Sequence, residues 1–541
     1  MTGKSRRDQD ADPLSSDVPR PIGRRDFFRG VTGVTLSSLG GAALLTQLPP
    51  TRALAADSES PLATTDLASQ TQRALRWAGP DPADWVRPRG AADHNVVIVG
   101  AGQSGLAIAY GLKRKGVGRV DLIDRADRGE AGIWRTVARM HQLRTPKTIV
   151  GPEQGNPALG FRAWYETQYG PAAFDKLDRI PRLVWADYLD WFQQVSGAKV
   201  RYRTRLVEIE PAGEILRLHL ESDGAQRTET TRKLVFANGY AGAGGPNVPA
   251  ILRALPAQAL THSATSFDYR TLSGKVIGVL GAGASAFDAA ATALESGAKE
   301  VHLFSRRSFV DYQAPASRAP AATTPALDRG HSSVNELLYE LPDPVRWRNH
   351  LQRRRRVASV PLDSLERAVA FKNFHLHLDS GWTQVAWSGK KVVATVAGKT
   401  QRFDHVIAGT GYDIDLSAQP ELARIVQSIS LWRDRFEPGA GEEDAAGGRY
   451  PYLGAGFEFL PRQGTDANYL RNIHCFNLAA QLSFGVPVGD VPSVVDHPRL
   501  ITAIARDLFV EGVDVAAHQR FINTPQTAPD PAPYQAALRR A

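Results

Sequence analysis

The sequence predicts an α/β fold with two dinucleotide-binding, Rossmann-like units and small antiparallel β meanders. Three observations predict it. Gly100-x-Gly102-x-x-Gly105 follows the apolar run Val96–Val99 and opens an Ala- and Leu-rich helical stretch. Gly281-x-Gly283-x-x-Ala286 repeats the arrangement after Val276–Leu280. VRYRTRLVEIE and EILRLHLE alternate apolar and polar residues, the period of a half-buried strand.

Ahead of these units, residues 1–55 read as a leader. GRRDFFRG, with Arg24 and Arg25, precedes the weakly apolar stretch from Val31 to Leu48, and Ala53-Leu54-Ala55 supplies a small-x-small cleavage site. That order is expected of a twin-arginine export signal, with the twin-arginine translocase as partner and a periplasmic or exported destination. An uncleaved inner-membrane anchor or a cytoplasmic protein are the alternatives. No block is long and apolar enough for a stable span once the leader is removed. The leader holds eight Lys and Arg against five Asp, so +3 of the net +9 belongs to it. Residues 56–92 form an arm and a Pro-rich link, GPDPADWVRPRG.

The first unit follows. Glycines are needed where a strand turns sharply into a helix, where backbone approaches a pyrophosphate, and where that helix meets the strand. Gly100, Gly102 and Gly105 meet the three needs, and free N–H groups at the helix start attract the phosphates. The next strand, VDLID, ends in Asp124. A carboxylate there bonds a ribose diol, which suits FAD or NAD and repels a 2′-phosphate.

In the second unit the corresponding strand, EVHLF, runs into Ser305, Arg306 and Arg307. Guanidinium groups favour a 2′-phosphate by charge and by bidentate geometry, so this pocket is expected to take NADPH. Flavin and nicotinamide sites in one chain imply electron relay between them. Disulfide reductases need a cysteine pair beside the flavin, whereas this chain has one cysteine, Cys475. A structural disulfide within the chain and a Cys-based zinc site are excluded with it. No metal site is expected: His375 and His377 in HLHL share a strand face, yet no third ligand is near in sequence. Arg353–Arg356 lack interleaved aromatics, so they read as a solvated helix face and not as a nucleic-acid site.

Around the two glycine loops, GAGQSG, GIWRTVARMHQLRTPK, VFANG, GGPNVP, THS, GAGASAFD and FDHVIAGTGYDIDL occur in the usual order of the class B flavoprotein monooxygenases, the flavin-containing and Baeyer–Villiger group. The chain resembles that group from about Val96 to Phe509. The resemblance implies that the NADPH unit is inserted in the FAD unit. It places Gly100, Gly102, Gln103, Ser104 and Gly105 on the FAD pyrophosphate and Asp124 on the ribose. Gly132, Trp134, Met140, Leu143 and Thr145-Pro146 would lie beside the flavin, with Asn238 in VFANG, the return pair Thr410 and Gly411, and Asn477 and Gln481 of NIHCFNLAAQLSFG. Gly281, Gly283, Ser285 and Ala286 would hold the NADPH pyrophosphate, Arg306 and Arg307 its 2′-phosphate. Arg306 is also the candidate catalytic residue, steadying a negative flavin adduct. The family fingerprint F-x-G-x-x-x-H departs here to PAQALTH, keeping His262, and no acidic partner for the Baeyer–Villiger arginine stands near GIWR.

The resemblance implies an oxidoreductase that uses NADPH, FAD and dioxygen, forms a C4a-peroxyflavin, and oxygenates a small organic substrate at nitrogen, sulfur or a ketone. A flavin oxidase or dehydrogenase with a vestigial nucleotide site, or a non-catalytic flavin- or nucleotide-binding protein, stays open, because an exported enzyme meets no NADPH supply. The expected layout is 93–244 for the first part of the FAD unit and 245–411 for the NADPH unit, with a helical insertion at 311–377. Residues 412–541 would return to the FAD unit and end in a tail.

Overall fold

The computed structural model describes residues 64–90, 92–313, 335–356 and 359–539; the predicted leader lies outside them. After helix α1 (Thr64–Ala78), strand β1 (His94–Val99) carries Val96, Val97 and Ile98 with no exposed surface. An unbroken apolar run of this kind suits a strand covered on both faces. Helix α2 (Gln103–Arg114) leads to β2 (Val120–Ile123), parallel to β1. Helices α3 (Phe161–Tyr169), α4 (Pro171–Lys176) and α5 (Arg182–Ser196) then cross to β3 (Val200–Arg201) on the far side of β2. Their aromatics, Trp164, Trp185, Tyr188 and Phe192, are buried in the core.

The expected meander is β4 (Thr204–Ala212), β5 (Ile215–Ser222) and β6 (Ala225–Phe236), antiparallel in sequence order. Strand β6 is long enough to serve two sheets' worth of partners. Its first half pairs with β5, and its second half runs parallel to β1 from Thr231 to Phe236. The resulting sheet has the order β3-β2-β1-β6-β5-β4.

The chain leaves this sheet through β7 (Gly244–Pro246) and enters a second, all-parallel sheet. Its strands are β8 (Leu260–His262), β9 (Val276–Leu280) and, after helix α6 (Ala284–Glu295), β10 (Glu300–Phe304). A short strand β11 (Tyr312–Gln313) comes before helix α7 (Asp343–Arg355), and β12 (Val360–Pro361) pairs with β11. Helix α8 (Leu362–Val369) lies against α6, and β13 (Phe374–His377) pairs parallel with β10. A three-stranded meander, β14 (Trp382–Trp387), β15 (Val392–Val396) and β16 (Lys399–Phe403), covers one face, where Trp382 stacks on Phe403 at 5.4 Å. Strand β17 (His405–Ala408) closes the order β13-β10-β9-β17-β8.

The return passes through β18 (Tyr412–Ile414), antiparallel to β7, so the two crossings of the chain lie side by side. Strand β19 (Ile473–Cys475) then joins β6 in the first sheet. After the short α9 (Gln481–Phe484), helix α10 (His497–Glu511) lies against α2, and α11 (Val515–Asn523) is followed by a 3-10 turn at Ala532–Ala537. Buried Arg232 and Lys233 fasten β6 to α10 through Glu511, at 2.8 and 3.2 Å. The second unit is thus inserted in the first.

One boundary needs correcting. The stretch 311–377, expected as an insertion, ends inside the second sheet: α8 covers α6 and β13 forms the sheet's edge. Only the earlier described part, with α7, stands apart from that sheet. Sequence reading missed this because β13 is four residues long and shows no burial alternation, Leu376 being exposed.

Candidate active site

Both glycine loops sit at the carboxyl ends of central parallel strands, where dinucleotides bind in this architecture. Gly100 and Gly281 have φ of 105° and 118°, a region that side chains rarely enter. A Cβ on Gly105 would stand 1.8 Å from the Gly100 carbonyl oxygen, so α2 reaches the loop only because Gly105 lacks one. The second loop has alanine at the matching place, and the room comes from the other side. Ala286 is fully buried against Gly409, where an added Cβ would lie 2.5 Å from the Ala286 methyl. Gly409 was not among the expected site residues; its position in AGTGY, directly after a buried strand, was the available signal.

At the first loop, Asp124 is buried and organises backbone. Its carboxylate accepts from Ala101 N at 2.7 Å and from Ala126 N at 2.8 Å. Each oxygen keeps a further lone pair, so the carboxylate can still accept from a ribose hydroxyl. Gly102 faces Gly132 closely, with 3.4 Å from a Cβ built on one to the Cα of the other. A cleft beside the loop is lined by Ala101, Gly102, Trp134, Arg135, Gln193 and Tyr202. Gln103 accepts from the Trp185 indole at 3.3 Å.

Two hydroxyls test whether these residues fit a flavin nucleotide. Ser104 Oγ and Thr145 Oγ1 are buried and without a hydrogen-bond partner among the described residues. Leaving such groups unsatisfied costs about 1–3 kcal/mol each. Both stand at positions expected to meet FAD, one at the pyrophosphate and one at the ring pocket. The residues present fit the group.

Around the expected ring pocket, Arg182 donates to the Trp134 and Met140 carbonyls, the latter at 2.9 Å. Leu143 is buried and its N–H reaches Ile180 O at 2.8 Å. Burial and the neighbouring Arg139 and Arg367 guanidiniums push the Arg182 pKa down. Asn238 and Asn477 come together: Asn477 Nδ2 donates to Asn238 Oδ1 at 2.9 Å, while its own Oδ1 accepts from Ala479 N. The Asn477 amide is thereby committed to holding the two segments. Gln481 begins α9 and is half-buried. Cys475 is fully covered and its thiol is pushed up to about 12 by burial, which makes it inert.

At the second loop, Gly283 caps α6 and Ser285 lies exposed in the helix's first turn. Ser305 is buried and its hydroxyl accepts from Arg307 N at 3.1 Å, fixing the turn after β10. Arg306 and Arg307 are exposed, and neither forms an ion pair with a carboxylate among the described residues. Arg307 donates only weakly, to Arg355 O at 3.4 Å.

The crossing between units joins the expected Thr410 and Gly411 to Asn247, which the sequence did not single out. Asn247 N donates to Gly411 O at 2.9 Å, and Thr410 Oγ1 donates to Asn247 O. Behind them sits His262, whose Nδ1 accepts from Ala264 N at 3.0 Å and whose pKa burial lowers to about 4. Asp288 of α6 meets Arg144 at 2.7 Å, Ser364 at 2.7 Å and Arg367 at 3.3 Å. Arg144 belongs to the segment between β2 and α3, so this buried carboxylate ties the two units together. No third ligand is near His375 in sequence, but strand pairing sets Glu300 and His302 beside it.

Comparisons with known proteins agree with this architecture. A FAD-NAD(P)-binding family model matches residues 97–241, and an L-lysine 6-monooxygenase/L-ornithine 5-monooxygenase model matches 173–326. The ornithine hydroxylase of Pseudomonas aeruginosa has a similar structure, with a TM-score of 0.59 at 18% identity, over 77% of this chain and 99% of its own. The ornithine N-hydroxylase of Kutzneria sp. 744 gives 0.58 at 15%, over 77% and 100%. The FAD-dependent urate hydroxylase of Xanthomonas campestris pv. campestris is 39% identical over 434 residues, 79% of this chain and 89% of that protein. The chain therefore belongs to the family of FAD-dependent monooxygenases that includes this urate hydroxylase, and is a flavoprotein oxidoreductase with FAD and NAD(P)H as cofactors.

Proposed function

We propose that the protein is an NADPH-dependent flavin monooxygenase of the class B type, inserting one oxygen atom of dioxygen into a small anionic heterocycle of the urate kind. The observation that carries the NADPH assignment is the pair of exposed guanidiniums, Arg306 and Arg307, at the end of β10, without a carboxylate partner among the described residues. They contrast with the buried carboxylate, Asp124, at the end of β2. Bound FAD, reduced by NADPH, supplies the oxygen-activating chemistry. The chain's own groups hold the two nucleotides and keep water from the reacting edge.

Two things support a urate-type substrate over an amine. One is the urate hydroxylase relative. The other is the pair Arg139 and Arg182 near Met140, which among the described residues form no ion pair with a carboxylate, whereas Arg144 and Arg367 are held by Asp288 and Glu295. That excess positive charge favours an anion and repels the ammonium of ornithine or lysine. The test is NADPH oxidation in air by the purified yellow protein, with urate, ornithine, lysine, sulfides and ketones compared. Urate should raise the rate, with label from ¹⁸O₂ in the product. Unchanged rates with every compound, and all oxygen recovered as hydrogen peroxide, would indicate an oxidase instead.

We further propose export through the twin-arginine pathway, since a protein folded around FAD suits a translocase for folded cargo. Among the described residues no helix is long and apolar enough to cross a membrane. Residues 1–60 fused to a reporter should be exported, and Arg24→Lys with Arg25→Lys should retain it inside; export by the changed leader would refute the signal.

A further inference from the structure

Strand β13 is the edge of the second sheet, and its pairing with β10 sets Val301 against Phe374, His302 against His375 and Phe304 against His377. Residues two apart on a strand share a face. Val301 and Leu303 enter the core beneath α6, so Glu300 and His302 lie on the opposite face, that of the β14–β16 meander. His375 and His377 join them. The His302 and His375 rings stand 4.5 Å apart, and the ligand atoms of Glu300, His302 and His375 all lie within 4.8 Å of one another.

The hydrogen-bond pattern gives this cluster a direction. His302 Nδ1 and His377 Nε2 are 3.0 Å apart, with one proton between them. When His377 Nε2 holds it, His302 Nε2–H donates to the Glu300 carboxylate, 3.3 Å away; when His302 Nδ1 holds it, His302 Nε2 presents a lone pair there instead. The second tautomer opens a place for a cation between the two atoms. No lysine or arginine supplies one: among the described residues, Glu300 is ion-paired only with His302. A second cluster of similar composition, His94, Asp121 and Glu229, differs on this point, because Arg201 sits among its carboxylates, 2.8 Å from Glu229. That cluster already has its cation.

We infer that Glu300, His302 and His375 form a binding site for a first-row divalent metal ion of the zinc type, with His377 as the positioning residue that orients His302. Two imidazoles and a carboxylate are a donor set that zinc accepts, leaving a position for water. A ring N–H given to a neighbour is the usual way a ligating histidine is oriented. Ligand atoms of a tetrahedral zinc stand roughly 3.3 Å apart, so side-chain rotations of about 1 Å close the shell. The ion would pin the edge strand to β10, four residues before Arg306.

The test uses untagged, full-length flavoprotein stripped with EDTA and titrated with Zn²⁺ under equilibrium dialysis, then with Co²⁺ to read the visible spectrum. One equivalent should bind, with a cobalt spectrum of four-coordinate type. H302Q and H375A should each abolish stoichiometric binding, and H377F should weaken it by about 10–100-fold. H94A should leave it unchanged. Flavin absorbance and the thermal midpoint show whether each variant is folded, so metal loss is read apart from cofactor chemistry. Less than one equivalent bound by the parent, or full binding kept by the H302Q/H375A double variant, would overturn the assignment.

Discussion

Replacing Arg306 and Arg307 by alanine probes the difference between the two nucleotide pockets. Both guanidiniums are exposed and free of carboxylate partners among the described residues, so their removal leaves no buried charge stranded. The loss is then that of their contacts with the 2′-phosphate. A hydrogen bond to a charged group contributes about 1.5–3 kcal/mol, and exposure places these at the lower end. At about 1.5 kcal/mol each, either change weakens NADPH binding roughly 10-fold. The pair together should cost somewhat less than 100-fold, because neighbouring cations on one phosphate are not independent. NADH lacks that phosphate and should be nearly unaffected. The assay is the rate of flavin reduction under anaerobic conditions as a function of nucleotide concentration, for NADPH and NADH in parallel. Equal losses for both nucleotides, or no loss for NADPH, would refute the pocket assignment.

Three other outcomes follow from the same contacts. Ser104→Ala removes a buried hydroxyl that has no partner among the described residues, so the flavin-free protein should be as stable or slightly more stable, while FAD affinity falls about 10-fold. Flavin release followed by fluorescence, beside thermal melting, separates the two effects; a destabilised flavin-free protein would show that the hydroxyl serves the fold. Asp288→Ala strands Arg144 at the junction of the units, while Arg367 keeps Glu295, and should cost about 3 kcal/mol, the lower end for a broken buried pair since Arg144 is a third exposed. A thermal midpoint within 1 °C of the parent would contradict it. Burial lowers His262 and His474 from 6.5 to about 4, so the unfolded chain takes up these protons first as the pH falls. Stability is complete above pH 6.5 and is lost between pH 6.5 and 4, by about 1.4 kcal/mol per pH unit for each histidine in mid-window. His262→Gln should flatten the pH dependence of the melting temperature across that window; an unaltered slope would refute the role.

Much of the fold was legible because its signals are local. Val96–Val99 and Val276–Leu280 are short apolar runs, each followed within three residues by the glycines that a strand-to-helix turn requires. Asp124 and Arg306 lie one strand further on, at a spacing set by the βαβ unit itself. What the sequence hid depends on partners far apart along the chain. Ala286 could replace a glycine only because Gly409, more than a hundred residues later, gives up its side chain. Asp288 finds Arg144 and Arg367 across the junction, and Asn238 finds Asn477 across two strands. Neither pairing leaves a periodic trace. Strand β13 was hidden by its brevity, and with it the meeting of His375 with Glu300 and His302, which exists only in the strand register. Export rests on residues outside those described and stands as proposed.

The most direct measurement is the flavin spectrum of gently purified protein before and after NADPH is added without oxygen. One FAD per chain, bleached fully by NADPH and poorly by an equal amount of NADH, is the predicted result. Colourless protein that takes up no FAD, or a flavin that NADPH leaves oxidised, would contradict the claim that one chain holds both nucleotides.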